Sequence, residues 1–285
     1  MENSSEKLIF QSIKEQQLKK ISKKLTSFSS IPKLVIFLVG NNDASKVYVK
    51  NKINMCKKLG IEVELKQFPT SVSQTTLIES IKKQNRRRSV SGIFVQFPLP
   101  KHIDEISIVS AIDPSKDVDG LHELNLGKVL LNDKSACVPC TPSGIMQLLE
   151  YLKVDLIGKN VCIVGRSNIV GKPLSLLMIN AGATVTVCNS KTKNLKAIMK
   201  QSDVIITAIG RAKYFTKDYF SNKKQIVIDV GINRVNGKIY GDVDFDNVKE
   251  KVKFISPVPG GVGVLTVVNL MNNIIKTHEN QHGGK

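Results

Sequence analysis

No stretch of this chain stays apolar for long enough to cross a bilayer. The longest, LVIFLV at 34–39, has the length of a strand. Acidic residues are scarce beside basic ones, 24 against 42, which leaves a net charge of +18 on 285 residues. Such a balance points to anionic partners: nucleic acid, acidic headgroups, or phosphorylated and carboxylated small molecules. The signatures that would select nucleic acid are missing. There is no zinc-finger, RRM or leucine-zipper pattern, and the densest basic run, NRRRS (85–89), has no aromatic neighbours for bases to stack on. A solvated basic surface is the reading, with neither nucleic acid nor membrane as a partner.

A disulfide framework is also lacking. The five cysteines (Cys56, Cys137, Cys140, Cys162, Cys188) are odd in number and irregularly spaced. CVPC (137–140) is a single C-x-x-C with no second pair and no clustered histidines, so no metal site is expected. It also lacks the strand-then-helix setting of a thioredoxin site. The opening MENSSEKLIF resembles neither a signal nor a transit peptide, and the expected location is cytoplasmic. No repeat or low-complexity segment occurs, apart from a polar tail, HENQHGGK (278–285), expected to fray.

What is present is alternation. A polar helix over about 5–26 precedes a strand at 33–40. A helix at 45–60 follows, then a strand at 61–68, a helix capped by Ser73 and a strand at 92–97. The helix at 45–60 has an apolar stripe of Val47, Ile53, Cys56 and Leu59, with Gly60 as its stop. After a connecting helix (141–152), a second run comprises strands at 161–165, 184–188, 203–210 and 226–231, with a helix over 172–181 closed by Gly182. Hydrophobic content of 41% fills full cores. The fold class is therefore α/β with parallel sheets in two domains and a cleft between them.

Several stretches carry residues that structure alone does not require. In VCIVGRSNIVGKPLSLLM (161–178) a buried strand meets a glycine turn and then a helix with Pro173 in its first turn, a layout that holds pyrophosphate on backbone N–H groups. The spacing G-x-S-x-x-x-G departs from G-x-G-x-x-G, so a plain strand–helix connection remains the alternative. VCNSKT (187–192), after the next strand, has no acid for a ribose hydroxyl but offers Ser190 and Lys191. Arg166 could meet a 2′-phosphate, so a bound dinucleotide would be NADP rather than NAD. VQFPLP (95–100) puts Gln96 at the carboxyl end of a parallel strand, where ligands bind in open α/β sheets. DPSKDVDGLHELNLG (113–127) is an acidic, glycine-containing loop that by itself reads as polar surface or an opportunistic cation site. SPVPGGVGVLT (256–266) suits close backbone approach to a flat or anionic ligand. Tyr48 and Lys52, four apart, share one face of the helix at 45–60.

Taken in order, YVKNK, VQFPLP, DVDG, PCTPSG, GRSNIVGKP, IDVGIN, GDVDF and PVPGGVG span residues 48–263. With them the chain resembles the bifunctional methylenetetrahydrofolate dehydrogenase/methenyltetrahydrofolate cyclohydrolase family over nearly its whole length. The resemblance implies an N-terminal α/β folate and catalytic domain (1–141, with 265–285 packing back on it) and a Rossmann-like NADP domain (142–264). It implies oxidation of 5,10-methylenetetrahydrofolate by NADP⁺ and hydrolysis of the methenyl product to 10-formyltetrahydrofolate. By the same resemblance Tyr48 stacks on the folate, Lys52 is the polar group nearest the one-carbon bridge, Gln96 holds Lys52, and Asp119 anchors the pterin. Val95, Phe97, Pro259, Gly260, Gly261, Val262 and Gly263 complete the folate side. Gly165, Arg166, Ser167 and Ser190 take the cofactor phosphates, and Ile232 flanks the nicotinamide. A homodimer acting on folates, polyglutamylated ones included, is the family expectation.

A lysine is a poor base at neutral pH, but burial beside a cationic substrate disfavours its charged form, so Lys52 would serve the hydrolysis. Where the family usually continues PVPGGVG with Pro-Met-Thr, this chain has Val264-Leu265-Thr266. The alternatives are a monofunctional dehydrogenase of the same family and, more distantly, a shikimate-dehydrogenase-like NADP enzyme.

Overall fold

The structure, a computed structural model, describes residues 5–282. In chain order its elements are α1 (Ser5–Leu25), β1 (Lys33–Val39), α2 (Asp43–Leu59), β2 (Glu62–Phe68), α3 (Gln74–Asn85), β3 (Gly92–Val95), α4 (Glu105–Ser110), α5 (Glu123–Leu130) and α6 (Cys140–Tyr151). Then come β4 (Asn160–Val164), α7 (Gly171–Asn180), β5 (Thr184–Cys188), α8 (Leu195–Gln201), β6 (Val204–Thr207), β7 (Ile226–Asp229), β8 (Asn233–Val235), β9 (Lys238–Tyr240), α9 (Phe245–Val248), β10 (Phe254–Ile255) and α10 (Val262–His282). Contacts divide the chain into two compact units. One comprises Gln17–Lys128, Asp133–Cys140 and the residues from Val267; the other comprises the residues up to Gln16, Val129–Asn132 and Thr141–Thr266.

The first unit is built on a three-stranded parallel sheet of order β2-β1-β3. Leu34, Ile36 and Leu38 alternate onto one face, where they meet Val49 and Cys56 of α2 and Leu270, Met271 and Ile274 of α10. Val35, Phe37 and Val39 turn to the other face, against Leu77 and Ile81 of α3. Both faces are covered, which is why the central strand reads as one apolar run. Asn42 caps α2 by accepting from the Ser45 N–H at 3.1 Å, and Gly60 stops the helix in the left-handed region at φ 75°. Ser73 caps α3 as expected.

The second unit holds a five-stranded parallel sheet of order β10-β7-β6-β4-β5. The chain runs from β4 to β5 and then crosses back to β6 on the other side of β4. A topological switch point therefore lies at the carboxyl ends of β4 and β6. Val161 and Ile163 face Leu174 and Met178 of α7, with Phe10 and Ile13 of α1 in the same cluster. Cys162 and Val164 face Phe215, Phe220 and Val227.

The structure corrects the expected pattern in places. Val47 is 49% exposed, and the buried face of α2 is Ser45, Val49, Lys52 and Cys56 instead. The third strand ends at Val95 because Pro98 and Pro100 follow, and the strand expected at 203–210 ends at Thr207. The tail is helical through His282, with His278 buried and its Nδ1 2.9 Å from the Ser91 Oγ. Residues 283–285 of that tail lie outside the described residues. Among the described residues no helix is long and apolar enough to cross a membrane.

Candidate active site

In the three-stranded unit α2 carries Tyr48 and Lys52 one turn apart. Lys52 is only 7% exposed, and its Nζ donates to the Gln96 Oε1 at 2.9 Å. Gln96 sits just past β3, where its backbone N–H donates to the Phe37 carbonyl at 2.9 Å. Its Nε2 donates to the Phe97 carbonyl at 2.6 Å, which turns the amide oxygen toward the lysine. The ammonium lies 5.7 Å from the centroid of the Tyr48 ring and 4.6 Å from that of Phe94. Val95 is buried in the core, Phe97 packs against it, and the Phe97–Pro98 peptide is cis.

The DVDG loop divides its two aspartates between two duties. The Asp117 carboxylate, 1% exposed, accepts from the N–H groups of Gly120 (3.0 Å) and His122 (2.9 Å) and from the Asn125 Nδ2 (2.9 Å). A Cβ on Gly120, at φ 72°, would lie 2.5 Å from the Cys137 carbonyl oxygen. Asp119 is left to interact with Lys52 and with the Cys140 thiol. Burial, then the charge of Asp117, pushes the Asp119 carboxyl up to about 6, against the opposing pull of Lys52 and Cys140. Burial also lowers the pKa of Lys52, with Asp119 and Cys140 opposing. The result is a lysine that gives up its proton more readily than a free one, held by an oriented amide beside an aromatic ring.

The five-stranded unit offers a site made of backbone. After β4, Gly165 takes φ 131° and donates its N–H to the Cys188 carbonyl at 2.9 Å. A Cβ on Gly165 would strike the carbonyl oxygen of Ala208, and one on Gly171 the carbonyl oxygen of Gly165. The turn is thus drawn tight at the switch point, and α7 starts at Gly171 with no side-chain cap. This cradle fits an anionic group at a helix N-terminus. Arg166, Ser167 and Ser190 are exposed beside it. Ser190 follows β5, in a turn where the Thr192 Oγ1 accepts from the Asn189 N–H.

Ile232 is 49% exposed, and a Cβ on Gly263 would lie 3.9 Å from its Cδ1. The Pro259–Gly263 turn and Ile232 are therefore neighbours within this unit. Pro259 is exposed after a cis peptide, Gly260 takes φ 99°, and Gly261 is packed under the Pro257 carbonyl. Val262 and Leu265 fill the core. The Val264 N–H donates to the Gly261 carbonyl at 3.0 Å, a bond that the family's usual proline could not make.

Residues 5–119 match the tetrahydrofolate dehydrogenase/cyclohydrolase catalytic domain, and residues 139–282 match the NAD(P)-binding domain of the same family. The chain belongs to this family. A bifunctional protein FolD from Hydrogenobaculum sp. is 49% identical over 249 residues, 87% of this chain and 89% of the relative. The crystal structure of the bifunctional FolD methylenetetrahydrofolate dehydrogenase/cyclohydrolase of Campylobacter jejuni superposes with a TM-score of 0.90 at 44% identity, covering 96% of this chain and 97% of the other. The Trypanosoma brucei methylenetetrahydrofolate dehydrogenase-cyclohydrolase, solved with NADP cofactor and inhibitor, gives a TM-score of 0.89 at 30% identity, covering 96% of each chain.

Within this dehydrogenase/cyclohydrolase chain, sequence reasoning passed over Phe94, Asp117, Cys140 and Asn273. Asn273, on α10, donates its amide to the Val118 and Val138 carbonyls at 2.9 Å each, clamping the DVDG loop. Asp117 and Cys140 had signals, one as the first acid of DVDG and the other within CVPC and PCTPSG. The partners of Phe94 and Asn273 are 42 to 155 residues away in sequence.

Proposed function

We propose that this protein oxidises 5,10-methylenetetrahydrofolate with NADP⁺ and hydrolyses the methenyl product to 10-formyltetrahydrofolate. The observation that carries the reading is the buried Lys52 held by Gln96 at 2.9 Å under the exposed ring of Tyr48. Tyr48 stacks on the folate, and Asp119 accepts from the pterin. Neutral Lys52 takes a proton from the water that attacks the methenyl carbon and returns one to the ring nitrogen as the five-membered ring opens. The intact Tyr48–Lys52–Gln96 set favours two activities over a dehydrogenase alone.

The cofactor, when bound, accepts the hydride from the methylene carbon. This chain's residues bind and align it: the Gly165 turn and the α7 N-terminus take the pyrophosphate, Arg166, Ser167 and Ser190 take the 2′-phosphate side, and Ile232 packs against the nicotinamide. No acid stands in 187–192 to receive a free ribose hydroxyl, so NADP is preferred to NAD. Val95, Phe97 and the Pro259–Gly263 turn border the folate.

Residues 1–141 with 265–285 serve the folate and 142–264 serve NADP. Hydrogen-exchange protection on adding NADP should then concentrate in 142–264; protection confined to 17–128 would reverse that assignment. The protein acts as a cytoplasmic homodimer on folates, polyglutamylated ones included. The net charge of +18 motivates the last point, and a monomer mass by light scattering would remove the dimer.

The deciding experiment runs two assays on wild type and Lys52→Met: NADP-dependent oxidation of methylenetetrahydrofolate, and loss of methenyltetrahydrofolate absorbance. Wild type should do both, and the variant should lose hydrolysis first. Wild type that does neither with NADP or NAD ends the reading.

A further inference from the structure

Two motifs, IDVGIN (228–233) and GDVDF (241–245), mark the family, yet nothing above assigns their acids a role. The first aspartate of each, Asp229 and Asp242, is 3% and 0% exposed respectively, at the carboxyl end of the five-stranded sheet. Each is surrounded by donors. The Asp242 carboxylate accepts from the backbone N–H groups of Ile209 (2.6 Å), Gly210 (3.2 Å) and Arg211 (2.8 Å), and from the Asn233 Nδ2 (3.0 Å). Asp229 accepts from the Thr207 hydroxyl (3.1 Å) and from the N–H groups of Gly231 (3.0 Å), Asp242 (3.0 Å) and Val243 (2.8 Å).

The partners identify what is being held. Residues 209–211 continue the loop after β6, whose Ala208 carbonyl packs against Gly165 in the glycine turn. Asn233 follows Ile232 and opens β8, directly after the loop that leaves β7. We propose that Asp242 is a positioning residue for the cofactor: its carboxylate locks the loop after β6 to the start of β8, beside Ile232, and so fixes the spacing between the glycine turn and Ile232. Its side chain is fully buried among these donors. It acts through three backbone N–H groups of one wall and one side chain of the other.

A carboxylate is suited to this because it presents only acceptors, about four lone-pair sites for four donors. An asparagine would turn an amide N–H toward the Arg211 N–H or the Ile209 N–H. A longer acid has no room, since a Cβ on Gly231 would already collide with the Asp242 carboxylate. Asp229 has a different duty. Its backbone N–H donates to the Ser256 Oγ at 2.7 Å, at the head of the SPVPGGVG segment, so it ties the sheet to the proposed folate edge as well.

The inference rests on the NADP reading above and has its own test. The Kd for NADPH and the KM for NADP⁺ are measured for wild type and Asp242→Asn, together with cyclohydrolase turnover, which consumes no cofactor. Asp242→Asn should weaken NADPH binding about tenfold, the equivalent of one lost hydrogen bond to a charged group. Cyclohydrolase turnover should stay within about twofold, a change of well under 1 kcal/mol. Equal losses in both activities would make Asp242 a general structural residue, and an unchanged Kd would overturn the inference outright. If Asp242→Asn does not fold, Asn233→Ala removes a single donor and should weaken NADPH binding alone, by a smaller factor; unchanged binding there also overturns it. Wild type that binds no NADPH overturns the proposed function, and this inference falls with it.

Discussion

The two units build their candidate sites from different materials. In the three-stranded unit the working atoms are side-chain tips: an ammonium, an amide oxygen, a carboxyl and an aromatic face, brought together from α2, β3 and the DVDG loop. In the five-stranded unit the working atoms are main chain, exposed where glycines leave no Cβ, and the buried carboxylates serve to hold loops. A side-chain site is retuned by changing one functional group at constant shape. A main-chain site is damaged by adding volume, whatever the chemistry added.

The sharpest way to break the comparison is Lys52→Met, which keeps the length and removes the ammonium. Cyclohydrolase turnover should fall by about 10²–10⁴, the range of a lost general acid–base, while NADPH binding stays as it was. Next comes Gly165→Ala, one methyl group against the Ala208 carbonyl at φ 131°. Forced overpacking costs about 1–3 kcal/mol. That loss should appear in NADPH affinity by fluorescence titration and spare hydrolysis.

A third test uses pH. Cyclohydrolase turnover should rise as Lys52 loses its proton, with a midpoint below the ordinary lysine value of 10.5, because burial disfavours the ammonium. Asp119 raises the Lys52 pKa, so Asp119→Asn should move that midpoint lower still. A midpoint that stays put in a pH–rate profile would separate Asp119 from the lysine. The smallest effect is expected from reversing the charge of the exposed Arg86 and Arg88. Surface charges contribute about 0–1 kcal/mol, so KM for polyglutamylated folate should shift slightly and only at low salt.

Local signals were legible wherever a residue acts on its neighbours in sequence. Ser73 announced the start of α3, Gly60 the end of α2, and the i,i+4 spacing of Tyr48 and Lys52 their shared face. Gln96 could be placed because prolines stop β3 immediately after it. Val47 misled because helical periodicity alone does not say which of two apolar positions, 47 or 49, turns inward; the sheet partner decides. The β8–β9 hairpin, with its Asn236–Gly237 turn, and α8 went unread between the strands of the second unit. Phe94 was legible only as part of a strand and Cys140 only as half of a C-x-x-C, since only the fold brings Lys52 and Asp119 to them. Asp229 and Asp242 were visible as motifs, but their meaning lay in donors up to 33 residues distant.

All five cysteines are buried. Burial pushes Cys56 and Cys137 up to about 12 and raises Cys140 and Cys162 as well. In the folded protein an alkylating reagent therefore finds neither access nor thiolate at these four. Cys56, Cys137 and Cys140 belong to the three-stranded unit and Cys162 and Cys188 to the five-stranded one. The unmodified chain thus carries its own pair of clocks: peptide-resolved alkylation rates time the breathing of each half separately, and a ligand seated in one half should slow the clock in that half.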